Sequence, residues 1–429
     1  MVKIKEHEAW PGTKRSFFIA VTSLLLLASC PGVEHTSEEL IDVLQGSPKK
    51  ENVWGSLSAK NPNNIGNTFT ADSKTTRTIT WQSGMDTGEV IIGNNRYTST
   101  SVLQNEMYFH RVDITGLAPG KTYRFIAGTT DRYSPIYSFK TENSSYSDGF
   151  SVIHITDPQI RKSNSNAEND AKIWKQVIEA AVKTSPDAAF FVNTGDVVDK
   201  INEDRIPYYF DYAQEILAGY AFIYSLGNND SLDWYNKYFY MYENASVDSS
   251  GILYSFDYGN THFVSINYQF SDSNDEDDVS ITLSDQQMDW LKNDLKNTSR
   301  TWKVAMTHKS DFGRKKGSNS ESEITKLFNK YNVNLVMAGH YHFYMRTNPI
   351  NSKGNNKLNG TVWTIPNAAG SKFNNREEPG DGKEYLAVTE QPELPMFTEF
   401  VFTETNIYLK AYTVDTDGKE VLFDEYTFY

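Results

Sequence analysis

From residue 51 to about 143, apolar and polar positions alternate in short runs, each closed by turn residues. In TRTITWQS (76–83), Ile79 and Trp81 fall on one face of an extended strand and Thr78 and Thr80 on the other. EVIIGNNRYTSTS (89–101) reads as two strands about a Gly-Asn-Asn turn. MYFHRVDITGLAPGKTYRFIAGT (107–129) reads as two strands about a Gly-Leu-Ala-Pro-Gly corner. A turn cluster roughly every ten residues predicts an antiparallel sandwich with Trp81 in its core.

Beyond residue 148 the rhythm becomes strand, loop, helix. SVIHIT (151–156), AAFFVNT (188–194) and AFIYSL (221–226) are short apolar runs of strand type. Between the first two, Ile173, Val177, Ile178 and Ala181 recur at helical spacing, and Pro186 marks the stop. YYFDYAQEILAGY (208–220) predicts one helix, and LYSFDYGNTHFVSINYQF (253–270) a hairpin. In LSDQQMDWLKNDLKN (283–297), Ser284 caps an amphipathic helix with Met288, Leu291 and Leu295 inward. KVAMT and NLVMA predict buried strands, and TVWTIP, FTEFVFT and NIYLKAYTV closing strands.

A chain of 429 residues predicts more than one domain. Its formal net charge of −14 argues against a nucleic-acid duplex as partner, because backbone binding needs clustered Lys and Arg. A phosphorylated small substrate stays open, since a metal centre outweighs the global field locally. The acidic run DSNDEDD (272–278) reads as a solvated loop, with a calcium site as the sharper alternative.

Lys3, Lys5, Lys14 and Arg15 precede the apolar run Phe17–Leu27, which is too short to span a bilayer as a mature helix. Leu27-Ala28-Ser29-Cys30 follows and resembles a bacterial lipobox. Cys30 is the sole cysteine, so no intrachain disulfide is possible and lipidation is the favoured reading over a plain secretory peptide. The expectation is a leader over 1–30 and a polar tether over 31–50. The mature chain would then be extracytoplasmic, attached to a bacterial membrane only through lipid on Cys30.

Five apolar runs end in residues of metal-ligand type. Asp157-Pro158-Gln159 follows the first, Gly195-Asp196 the second and Gly227-Asn228-Asn229-Asp230 the third. His308 follows KVAMT, and Gly339-His340-Tyr341-His342 follows NLVMA. Each alone is an ordinary turn or a hydrogen-bonded histidine. In an α/β sheet, however, strand ends emerge at one rim, and ligands bind there. Convergence of all five predicts a shared metal site of oxygen and imidazole ligands.

This set of residues resembles the calcineurin-type metallophosphoesterase signature. The stretch Gly339-His340-Tyr341-His342-Phe343-Tyr344-Met345-Arg346-Thr347-Asn348-Pro349 is similar to the purple acid phosphatase subgroup. Leu117-Ala118-Pro119-Gly120-Lys121-Thr122-Tyr123 resembles the tyrosine corner of fibronectin type III domains. The resemblance implies an α/β fold: a metallophosphoesterase β-sandwich flanked by helices (α/β/β/α, 148–429). An all-β fibronectin type III-like sandwich (51–143) would precede it. It also implies two divalent metal ions, with Asp196 bridging both. Asp157, His342 and Gln159 would hold the first; Asn228, His308 and His340 the second. A ligand set without thiolate suits Mn, Fe or Zn. His154 and His262 read as structural. Two such ions polarise a phosphoryl group and turn water into hydroxide near neutral pH, implying hydrolysis of a phosphomonoester or phosphodiester substrate.

Three positions depart from the family pattern. Gln159 stands where histidine is usual and offers only a neutral carbonyl oxygen. Asp199 stands where purple acid phosphatases have the tyrosine that binds ferric iron, so a purple centre is not expected. Its carboxylate is expected to support the site from behind or to sit at a helix N-terminus. Asn229 replaces the histidine that protonates the leaving group, which leaves Asp230 as the candidate acid. A positioned acid is worth roughly 10²–10⁴-fold. The alternative is therefore a weak or inactive metal-containing protein that binds a phosphorylated or glycan ligand, with adhesion by the front domain ranked last.

Overall fold

The computed structural model describes residues 61–428, apart from 131, 147–148, 162, 201, 243, 246–252, 268–281, 314–321, 352–353, 356–359 and 375–384. The expected leader over 1–30 with Cys30, the expected tether over 31–50 and the acidic run 272–278 lie outside the described residues. Among those described, no helix is long and apolar enough to cross a membrane.

Among the described residues, nine strands build the front sandwich: β1 (Asn63–Thr68), β2 (Arg77–Ser83), β3 (Glu89–Ile92), β4 (Asn95–Thr98), β5 (Thr100–Gln104), β6 (Met107–Ile114), β7 (Thr122–Thr129), β8 (Arg132–Tyr133) and β9 (Tyr137–Lys140). One sheet runs β1-β2-β6-β5; the other runs β4-β3-β7-β8, with β9 also on β7. Ile79, Trp81, Val90, Val112 and Phe125 fill the space between them. The corner expected at 117–123 is present: the Ala118 amide donates to the Tyr123 hydroxyl at 2.7 Å. Thr78 and Thr80, on the opposite face of β2, are buried as well. That face is covered by the following region, where Thr80 Oγ1 donates to the Tyr238 carbonyl.

The second region starts with β10 (Phe150–Ile155), α1 (Asn164–Thr184), β11 (Phe190–Asn193), α2 (Ile206–Asp211), α3 (Gln214–Gly219), β12 (Phe222–Tyr224) and α4 (Leu232–Tyr238). The hairpin β13 (Tyr254–Tyr258) and β14 (Thr261–Ser265) follows, then α5 (Asp285–Asn297), β15 (Trp302–Met306), α6 (Glu323–Lys330) and β16 (Leu335–Met337). It closes with β17 (Tyr344–Thr347), β18 (Ile350–Asn351), β19 (Gly354–Asn355), β20 (Val362–Ile365), β21 (Leu386–Glu390), β22 (Met396–Phe402), β23 (Ile407–Val414) and β24 (Glu420–Phe428). α5 starts with a capping box: Ser284 Oγ accepts from Gln287 N, and Gln287 returns the bond. Leu291 and Leu295 on it are fully buried, Met288 only partly.

One sheet has the order β12-β11-β10-β22-β23-β24, the other β13-β14-β15-β16-β20-β17-β21. The five ligand-bearing strands are therefore divided between two sheets, three and two, where the sequence suggested one rim. Their inner faces share a core in which Phe190 meets Phe263 edge-on at 5.3 Å. Strands buried on both faces read as unbroken apolar runs. Val304 and Met306 of β15 enter the inter-sheet core, while Ala305 faces the outer core with α5 and α6. α1 covers the other sheet through Trp174, Val177 and Ala181. The layers are α/β/β/α.

The single helix expected over 208–220 is two, broken at Tyr212-Ala213. Tyr209 on α2 stacks on Trp174 at 4.8 Å, whereas Gln214 on α3 turns to the front sandwich. There its amide bonds both backbone groups of Ile65. One straight helix cannot serve both surfaces. Phe69 completes the union, entering the second region's core against Phe190 and Phe256.

Candidate metal centre

Parallel strands β10, β11 and β12 deliver Asp157, Asp196 and Asn228 from their C-terminal ends, and β15 and β16 deliver His308, His340 and His342. Bringing the turns after β11 and β12 together requires glycine. A Cβ on Gly195, whose φ is +103°, would strike the backbone of Gly227, and one on Gly227 would strike Asp196. Asp157, Gln159, Asp196, His340 and His342 all have positive φ, between 40° and 76°. Such conformations cost of order 1–3 kcal/mol each and gather where the surrounding structure imposes them for function.

Asp196, His308 and His340 each offer a ligand atom within 4.8 Å of one another. His308 Nδ1 donates to the Thr194 carbonyl at 2.7 Å, which turns Nε2 toward Asn228 Oδ1 at 3.1 Å and Asp196 Oδ1 at 3.4 Å. His342 is oriented in the same way. Its Nδ1 faces the Lys372 carbonyl, so Nε2 lies 3.3 Å from Asp157 Oδ1. A backbone carbonyl behind the imidazole is how metal-binding histidines are held. Asp157 Oδ2 accepts from Thr156 Oγ1 and from the His340 amide.

At this site two buried oxygens make no hydrogen bond: Gln159 Oε1, and Asp157 Oδ1, which faces His342 Nε2 at 3.3 Å. An orphaned buried oxygen costs about 1–3 kcal/mol unless something compensates it. Here both orphans belong to the set expected to hold the first ion, and a cation fits them.

The electrostatics agree with that fit. Burial opposes ionisation of Asp157 and Asp196, yet His342 beside the first and His308 beside the second hold both below the usual carboxylate range. Burial also opposes charge on His308, but Asp196 and Asp157 raise it to about 9. Burial and His308 together hold His340 down at about 3. A proton on His308 and a divalent cation are alternative answers to one negative field.

Asp230 is otherwise engaged. Its carboxylate accepts from the amides of Asp196 and Gly227, both at 2.8 Å, and of Val197 at 3.0 Å. Burial and the Asp196 charge push it up to about 7, and its oxygens brace the loop through these three bonds. Asn229 also faces inward. Its Nδ2 donates to Asp196 Oδ2 at 2.6 Å and its Oδ1 accepts from Lys200 N.

Asp199 lies 3.5 Å from Lys372 Nζ, the residue whose carbonyl orients His342, and starts no helix. His154 is buried against Thr194 Oγ1, and His262 lies elsewhere, between Asp257 and Asp294. Sequence reading missed the Thr194 and Lys372 carbonyls, because every residue carries one.

Residues 150–344 match the calcineurin-like phosphoesterase family model, and residues 62–141 match the N-terminal domain of purple acid phosphatase. The first match falls on the second region and the other on the front sandwich. Among curated proteins it is 25% identical to purple acid phosphatase 15 of Arabidopsis thaliana, over 69% of this chain and 60% of that one. It is 23% identical to acid phosphatase type 7 of Mus musculus, over 59% and 60% respectively. The chain spans about 60% of the length of these relatives. The purple acid phosphatase PPD1 of yellow lupin (Lupinus luteus) shares the fold, with a TM-score of 0.66 at 17% identity over 86% of this chain and 74% of that one.

Proposed function

We propose that this protein is a metal-dependent phosphoesterase acting on phosphate monoesters or diesters at a dinuclear centre. The observation that carries the reading is the paired orphan oxygens of Asp157 and Gln159, beside imidazoles already turned by backbone carbonyls. Asp157, Gln159 and His342 would hold one divalent ion; Asp196, Asn228, His308 and His340 the other. Bound there, the ions supply Lewis acidity at the phosphoryl group and a nucleophile at neutral pH. The chain's own part is orientation: Thr194 and Lys372 fix the tautomers of His308 and His342, and Asp230 holds the 195–197 and 227–230 turns together. No side chain at 229 or 230 is free to give a proton, so leaving groups that depart as stable anions are favoured. We further propose an extracytoplasmic location with attachment through lipid on Cys30, on the strength of the Lys/Arg-flanked apolar run before it.

The test is metal analysis of the purified protein together with assays on aryl and alkyl mono- and diesters. Two ions, with turnover lost in Asp196→Asn, are expected. The engagement of Asn229 and Asp230 favours a second reading, a metal-containing binding protein; two ions with no turnover on any ester would establish it.

A further inference from the structure

Two of the residues that depart from the family pattern meet on one atom. Gln159 Nε2 donates to Asp196 Oδ2 at 2.7 Å, and Asn229 Nδ2 donates to the same oxygen at 2.6 Å. The Asn229 amide occupies Oδ1 at 2.8 Å. Neither side chain is arbitrary in orientation. Asn229 Oδ1 accepts from Lys200 N, which directs Nδ2 at Asp196, and a reversed Gln159 would set oxygen against oxygen. A carboxylate has about four lone-pair sites. Both on Oδ2 are taken and one on Oδ1. The remaining site lies on the oxygen that approaches His308 Nε2 at 3.4 Å.

We infer that this amide clamp makes Asp196 a ligand of one ion only, the one shared with Asn228, His308 and His340. The Asp157–Gln159–His342 side then takes its ion without Asp196, through three ligands of which one is a neutral amide oxygen. Loading is sequential: the Asp196 side fills first, and the other side fills more weakly. For Asp196 to bridge through Oδ2, Gln159 or Asn229 must release it. Loss of a hydrogen bond to a charged group amounts to roughly ten- to hundredfold in affinity. The inference rests on the metal-centre reading above.

The experiment is calorimetric titration of the chelator-stripped full chain with Mn²⁺, with bound ions counted by native mass spectrometry. Wild type is expected to bind one ion tightly and a second at least about tenfold more weakly. Gln159→Asp removes a donor and adds a charge, and should tighten the second event by tenfold or more. Asn229→Ala removes the other donor without adding a ligand, and should narrow the gap as well. His342→Ala should abolish the second event and leave the first. Two ions of equal affinity in wild type, or a gap unchanged in both clamp variants, would overturn the inference while leaving the dinuclear reading intact. Binding of no ion at all would overturn both.

Discussion

Replacing His262 with glutamine exposes an electrostatic clasp remote from the metal centre. Nδ1 of His262 lies 2.8 Å from Asp257 Oδ1 and Nε2 lies 2.8 Å from Asp294 Oδ2, so only the doubly protonated ring satisfies both. Asp294 also accepts from Ser255 Oγ, and Asp257 from Arg300 Nε; burial opposes the charge on Asp257, but His262 and Arg300 hold it below the usual carboxylate range. Burial opposes the charge, but the two aspartates hold His262 at about 9 against an ordinary 6.5. The folded state therefore keeps a proton that the unfolded chain sheds. Stability from the clasp is complete below pH 6.5 and is lost as pH rises through 9. At 1.36 kcal/mol per unit the shift corresponds to about 3 kcal/mol, nearer 2 after screening at the partly exposed Asp257. Urea unfolding of wild type and His262→Gln at pH 6, 7.5 and 9.5 measures it. The stability difference should shrink by about 2–3 kcal/mol between the first and last pH. A difference that stays constant over that range would refute the reasoning.

Four further outcomes are expected. Asp230→Asn exchanges a carboxylate that accepts three backbone N–H bonds for a group that can serve fewer, and should cost about 2–4 kcal/mol in denaturation midpoint analysis. Tyr123→Phe removes the hydroxyl that accepts the Ala118 amide and should cost about 1 kcal/mol by the same measurement. Rates across a series of aryl and alkyl phosphates should fall steeply as the leaving-group pKa rises; equal rates would mean that a proton donor exists. Chelation should lower the thermal midpoint as well as turnover, and restoring the ion at a hundredfold over its Kd should return about 2.7 kcal/mol.

Much of the chain is legible from local pattern. The capping box at Ser284 and Gln287, the corner at Ala118 and Tyr123, and the apolar runs ahead of each ligand all rest on contacts between near neighbours. The helix break at Tyr212-Ala213 is not legible, because its cause is Ile65, far away in sequence and on another sheet. Nor is the division of the ligand strands between two sheets. β10 pairs on one side with β22, some 250 residues later, and side-chain alternation carries no record of such a partner.

The same distinction runs through the site. Sequence by itself determined which side chains can ligate a metal and that they stand at strand ends, since residue chemistry and apolar periodicity are both local. Tertiary structure decided what those side chains face. Positive φ at Asp157, Gln159, Asp196, His340 and His342 is imposed by the packing of strands from both sheets. Asp230 became a brace and Asn229 a clamp because the turns after β11 and β12 lie against each other, with glycine at each contact. Their atoms were named by the sequence, but their partners arise only where two distant turns close on one carboxylate.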